Sequence, residues 1–161
     1  MVLQLRIDER LAYKQVNEGW VKKLGATHLI IADNFVAGNS AQRDLMMYGI
    51  PKTVKHLFAT VDKAIEIVND PKATPLKIFL IVRTPGDAIK IMNGVEGIND
   101  VIFGKFGIMT AQDSETLQKL CPSVILDAGN IALVKDILKR TGKEIYYQDR
   151  SSSDPVKLVF L

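Results

Sequence analysis

Short apolar runs alternate with stretches of helical spacing along the whole chain. Residues 1–5 read as a first strand, and residues 20–25 read as the back half of a first helix. A second strand covers 28–32, and Ser40 can cap a helix running through Leu45, Met46 and Met47 to Gly49. Residues 53–58 form a third strand. Thr60 then caps a helix whose Ala64, Ile65 and Val68 share one face. Residues 78–82 are apolar without a break, as expected of a strand covered on both faces. Thr84-Pro85 is a helix start, because the cap residue precedes a proline at a position that needs no amide donor. Ala88, Ile89, Ile91 and Met92 continue that helix to Gly94, and a fifth strand follows at 101–103. Short strands are predicted at 116–120 and 124–126. Asp127 then caps a helix carrying Ile131, Val134, Ile137 and Leu138, closed by Gly142. Residues 144–148 and 156–161 are the last strands, joined by a short polar turn at 151–154.

This alternation predicts an α/β fold, with a mainly parallel open sheet, helices on both faces and right-handed crossovers. The short turn between the last two strands predicts an antiparallel C-terminal edge. A length of 161 residues suits a single domain over 1–161, and no repeat or linker divides it. A net charge of +3 is mild and does not support a nucleic-acid binder, which would want a clustered basic face interleaved with aromatics. The lone Cys121 can form no internal disulfide and reads as a buried apolar residue in a reducing, cytoplasmic protein. There is no apolar run of membrane-spanning length, so direct membrane insertion is not expected. No metal site or cofactor is predicted.

The chemistry concentrates in Arg6-Ile7-Asp8-Glu9-Arg10-Leu11-Ala12-Tyr13-Lys14-Gln15-Val16, between the first strand and the first helix. Open α/β sheets place their ligands outside the carboxyl ends of parallel strands. An arginine fork there suits bidentate binding of carboxylate or phosphate. The stretch resembles the Arg-Val-Asp-Asp-Arg-Leu-Ile-His-Gly-Gln-Val signature of IIB subunits of the mannose/fructose/sorbose family of bacterial sugar phosphotransferase systems. Arg6, Asp8, Arg10, Leu11, Gln15 and Val16 match it, while Ile7 and Glu9 are close substitutions. Ala32-Asp33-Asn34-Phe35-Val36-Ala37 is similar to the Asp-Asp-x-Val-Ala loop of that family. Arg83-Thr84-Pro85-Gly86-Asp87 is similar to its Ser/Thr/Asn-Pro-x-Asp helix start, and Gly104-Lys105-Phe106 stands where the family has Gly-Gly-Met.

The resemblance implies a sorbose-type IIB fold and a cytoplasmic phosphoryl relay. In that relay a loop histidine takes the group from a IIA phosphohistidine and passes it to a sugar entering through membrane IIC and IID subunits. The acceptor histidine falls on Tyr13, and the following glycine falls on Lys14. An imidazole forms a readily transferred phosphoryl bond near neutral pH. A phenol, with a reference pKa of about 10, is protonated there and forms a poor onward donor. Tyr13 and Arg10 therefore hold the positions of the family's catalytic residues, and the expectation is a pseudoenzyme, inactive in transfer and retained for binding or regulation. The alternatives are an active carrier with a non-standard acceptor such as Tyr13, or a small-anion or sugar-phosphate binding protein. His28, at the start of strand two, and His56, inside strand three, lie away from the loops. Trp20 reads as core.

Positive charge remains at the predicted rim. Arg10, Lys14, Arg83 and Lys105 are candidate anion-binding residues for phosphate or a sugar phosphate, with Asp8, Asp33 and Gln15 lining the same site. Expected partners are a IIA domain and the IIC and IID subunits, and a homo-oligomer is left open.

Overall fold

The computed structural model describes residues 1–13 and 19–160. Its main sheet has seven strands in the order β3-β2-β4-β1-β5-β8-β9. These are β1 Val2–Ile7, β2 His28–Ala32, β3 Lys55–Ala59, β4 Ile78–Val82, β5 Val101–Phe103, β8 Tyr146–Tyr147 and β9 Val156–Lys157. The first six in that spatial order pair in parallel, and β9 pairs antiparallel with β8. The antiparallel edge follows from the short turn that joins its two strands. Strands β6 Gln118–Cys121 and β7 Val124–Leu126 form a separate antiparallel pair.

Alternation along the strands sends side chains to two layers. Leu5, Ile7, Ile30, Ala32, Ile78, Leu80, Val82 and Phe103 pack with buried residues of α4 Val61–Asn69, α5 Pro85–Gly94 and α6 Ala128–Thr141. Leu29, Ile31, Phe79, Ile81 and Ile102 face the other way. There they meet Trp20 and Val21 of α1 Trp20–Leu24, Val36 of α2 Asn34–Ala37 and Met46 of α3 Ser40–Met47. Each of the five buried residues of β4 is at 0% exposure, which is why that strand shows no polar alternation.

Several boundaries differ from the sequence reading. The first strand runs on through Ile7, so Arg6 belongs to the sheet and not to the loop. Asn39, not Ser40, caps α3, because its side chain accepts the Gln42 amide at 3.1 Å. The third strand starts at Lys55, and the last two shrink to two residues each. The helix α2 has no apolar periodicity to betray it; Asp33 creates it by accepting the Val36 amide. Thr60, Thr84 and Asp127 cap their helices through side-chain oxygens. Cys121 and Trp20 are buried in the core.

Candidate functional site

Register builds the site. Ala59, Ala32, Val82, Ile7, Phe103 and Tyr147 form the last paired row across six strands. One residue further, the chain therefore aligns Thr60, Asp33, Arg83, Asp8, Gly104 and Gln148 along the carboxyl-terminal rim. The backbone amides of Asp8, Asp33, Gly104 and Gln148 continue the ladder by donating to the neighbouring strand.

Asp8 is fully buried, and both of its oxygens are in use. Oδ1 accepts the Arg10 amide at 3.0 Å and Arg10 Nε at 2.9 Å. Oδ2 accepts Arg10 Nη2 at 2.7 Å and Arg6 Nη2 at 3.2 Å. Arg6 sits on the Trp20 face of β1, 5.0 Å from the Trp20 ring, and donates to the carbonyls of Gln148 and Asp149 at 2.9 and 3.1 Å. Burial pulls the Arg6 pKa below the ordinary arginine value, and the Asp8 charge works against that shift. For Arg10, burial acts in the same downward direction. The hydrogen bonds and charge of Asp8, and then of Asp149, outweigh it and leave Arg10 above the ordinary value. Arginine keeps its proton in proteins, so both groups act here as cations.

The turn after Asp8 is strained. Leu11 is fully buried with φ 53°, a left-handed conformation that costs a non-glycine residue roughly 1–2 kcal/mol. The Leu11 amide donates to the Asp8 carbonyl at 2.9 Å, and the apolar layer around Trp20 holds its side chain.

Arg83 ties three loops together. Its Nε meets Asp33 Oδ1 at 3.2 Å, and its Nη1 donates to the Glu9 carbonyl at 2.7 Å. Glu9, 1% exposed, turns its carboxylate onto the backbone amides of Gly107, Ile108, Met109 and Thr110 at 3.4, 2.9, 2.8 and 3.1 Å. That nest of amides fixes the loop on which Ile108 and Met109 stand exposed.

Three comparisons bear on what this rim belongs to. The sequence model of the family described as PTS system sorbose subfamily IIB component matches residues 2–156. The chain belongs to the sorbose subfamily of phosphotransferase-system IIB components. A probable phosphotransferase enzyme IIB component of Streptococcus pyogenes is 30% identical over 158 residues, covering 98% of this chain and 97% of the relative. The N-acetylgalactosamine-specific IIB component 2 of Escherichia coli is 31% identical over 95% of this chain and 93% of its own length. The crystal structure of the Escherichia coli N-acetylgalactosamine-specific IIB component 1 superposes with a TM-score of 0.83 at 28% identity, covering 99% of this chain and all of that one. The IIB domain of the sorbose permease from Klebsiella pneumoniae shares the fold, with a TM-score of 0.82 at 22% identity over 97% and 92% of the two chains.

On this IIB scaffold Arg10, Asp8, Asp33 and Arg83 come together, while Lys14 and Gln15 lie outside the described residues. Lys105 is half-buried on the same rim, and its carbonyl accepts the Glu9 amide at 2.9 Å. Tyr13 is half-buried, and its hydroxyl donates to Gln42 Oε1 on α3 at 3.3 Å. His28 and His56 lie at the opposite, amino-terminal end of β2 and β3. The arginines expected to offer bare charge to an anion instead have carboxylate partners within the chain. Sequence reasoning missed Glu9 and Asp149 as site residues. Glu9 stands in the first-loop motif, but its role was hidden there, and Asp149 carries no local signal, because their partners lie about a hundred or more positions away in the chain. Among the described residues no helix is long and apolar enough to cross a membrane, and no cluster of three or more His, Cys, Asp or Glu is arranged to hold a metal.

Proposed function

We propose that this chain is a IIB-type component of a sugar phosphotransferase system that binds phosphoryl-bearing partners without relaying the group. In this reading Tyr13 occupies the acceptor position, and Arg10 receives phosphoryl oxygens presented by a IIA domain or a sugar phosphate. The membrane IIC and IID subunits are the other partners. The observation that carries the reading is the Tyr13 hydroxyl on the rim, bonded to Gln42, while both histidines of the chain lie at the far end of the sheet. In this reading the rim offers a guanidinium to phosphoryl oxygens and no imidazole to accept the group. Two Escherichia coli relatives that align over more than nine-tenths of this chain are N-acetylgalactosamine-specific by name, so an amino-sugar system is the first to test.

The test is incubation with a phosphorylated IIA domain. The expected result is complex formation with no acid-labile, alkali-stable label on this chain. Such label on the wild-type protein would overturn the reading in favour of an active carrier.

A further inference from the structure

Arg10 has five N–H groups, and the structure divides them unequally. Nε and one Nη2 hydrogen go to Asp8 at 2.9 and 2.7 Å, and Nη2 also donates to Asp149 Oδ1 at 2.7 Å. Nη1 has no partner among the described residues. The two carboxylates are not equivalent. The Asp8 side chain is at 0% exposure, holds Arg6 as well, and is roofed by Gly104. The Asp149 side chain is 26% exposed and grips Arg10 through one oxygen.

The backbone under Asp149 is fixed without its carboxylate. The Asp149 carbonyl accepts Arg6 Nη2 and Trp20 Nε1, each at 3.1 Å, and the Gln148 carbonyl accepts Arg6 Nη1 at 2.9 Å. The Gln148 side chain closes the following turn on the carbonyls of Ser151 and Ser153 at 3.3 and 2.7 Å. The backbone of Asp149 is thus tied down by bonds that do not involve its carboxylate, and that carboxylate, 26% exposed, borders solvent.

From this arrangement we infer that Asp149 is a built-in competitor for the phosphoryl oxyanion that Arg10 receives. The inference rests on the proposed function and deepens it by naming what regulates the site. As it stands, the charges of Arg6 and Arg10 are cancelled by those of Asp8 and Asp149. An incoming dianion therefore meets a neutral cluster whose outermost group is itself an anion. Binding exchanges one oxyanion for another on Nη2: the Asp149 carboxylate moves out to water, and a phosphoryl oxygen takes its place while a second engages Nη1. A weak resting affinity that rises when Asp149 is drawn away suits a module that must release its partner.

The sign of one substitution decides the matter. A carboxylate that merely positions Arg10 weakens phosphate binding when neutralised, whereas a competing carboxylate strengthens it. Phosphate is titrated calorimetrically at pH 8 into wild type, Asp149→Asn, Asp149→Ser and the double variant Asp149→Asn, Arg10→Gln. The expected result is about tenfold tighter binding in both single variants, the size typical of one coupled charge. That gain should vanish in the double variant and shrink with added salt. Repeating the series with a sugar 6-phosphate and with phosphohistidine shows which source of the phosphoryl group is preferred, and a gain with either supports the competitor. Wild type that binds phosphate, with unchanged or weaker binding in both Asp149 variants, overturns the inference and leaves the proposed function standing. No binding by wild type or by either folded single variant overturns both.

Discussion

Gly104 lies against the Asp8 carboxylate so closely that an added Cβ would come 1.9 Å from Asp8 Oδ2 and 2.6 Å from Arg6 Nη2. The glycine is required by the ion network beneath it. Asp8 is held by four hydrogen bonds and cannot step aside without releasing Arg10. Gly104→Ala is expected to lose about 1–3 kcal/mol of stability, the range for overpacking a filled interior. Urea unfolding measures this, and an alanine variant as stable as wild type would show that Asp8 is not confined there.

Glu9 offers a second test. Glu9→Gln keeps the shape but replaces one accepting oxygen by an amide donor that faces backbone amides also donating. Leaving buried donors unmatched costs about 1–3 kcal/mol. Hydrogen exchange is expected to speed up at Gly107, Ile108, Met109 and Thr110, with the strands unaffected. Unchanged protection at those amides would mean that the loop holds itself.

The α6 cap sets a pH dependence. Hydrogen bonds from the Asn130 amide, and then from the Asp113 amide, hold the Asp127 carboxyl below the ordinary aspartate value. Because the folded pKa lies below the unfolded one, its contribution is present above the unfolded value and is lost as pH falls through the folded value. Asp127→Ala is expected to destabilise by about 1 kcal/mol at pH 7. The gap to wild type should narrow below about pH 4, where the unfolded aspartate is already protonated. Melting temperatures of both proteins between pH 3 and 7 check this.

Position 13 tests the proposed function from the opposite direction. Tyr13→His alone is expected to accept little label from a phosphorylated IIA domain, and the double change Tyr13→His, Lys14→Gly more, since glycine frees the loop backbone. Arg10 is already in place to meet the incoming oxygens. If the double variant stays unlabelled while binding the IIA domain, Tyr13 does not stand at the acceptor position.

Much of this was legible in the residue order because it depends on neighbours. The unbroken apolar run 78–82 announced β4, and Thr84-Pro85 announced α5. The rim followed from strand ends alone. What stayed hidden was pairing at a distance. Arg6 is a polar residue in the middle of a sheet face, which period-two reading assigned to a loop. Its justification comes from Asp8, the Trp20 ring and two carbonyls 142 and 143 positions away. Arg10 and Arg83 looked like free cations for a similar reason: charge counts do not reveal that Asp149 and Asp33 fold back onto them.

The amide nest around Glu9 spans sequence separations of 98 to 101 residues, and the Arg6 carbonyl contacts span 142 and 143. Contacts of that range each close a long loop, which carries an entropic cost that local contacts avoid. The rim is therefore assembled only once β1, β5 and β8 lie side by side. A chain still emerging during synthesis, or clipped in its last twenty residues, would have most of its helices and no competent rim. A partner that docks at this rim, as proposed, meets it only on a chain whose last strands are in place.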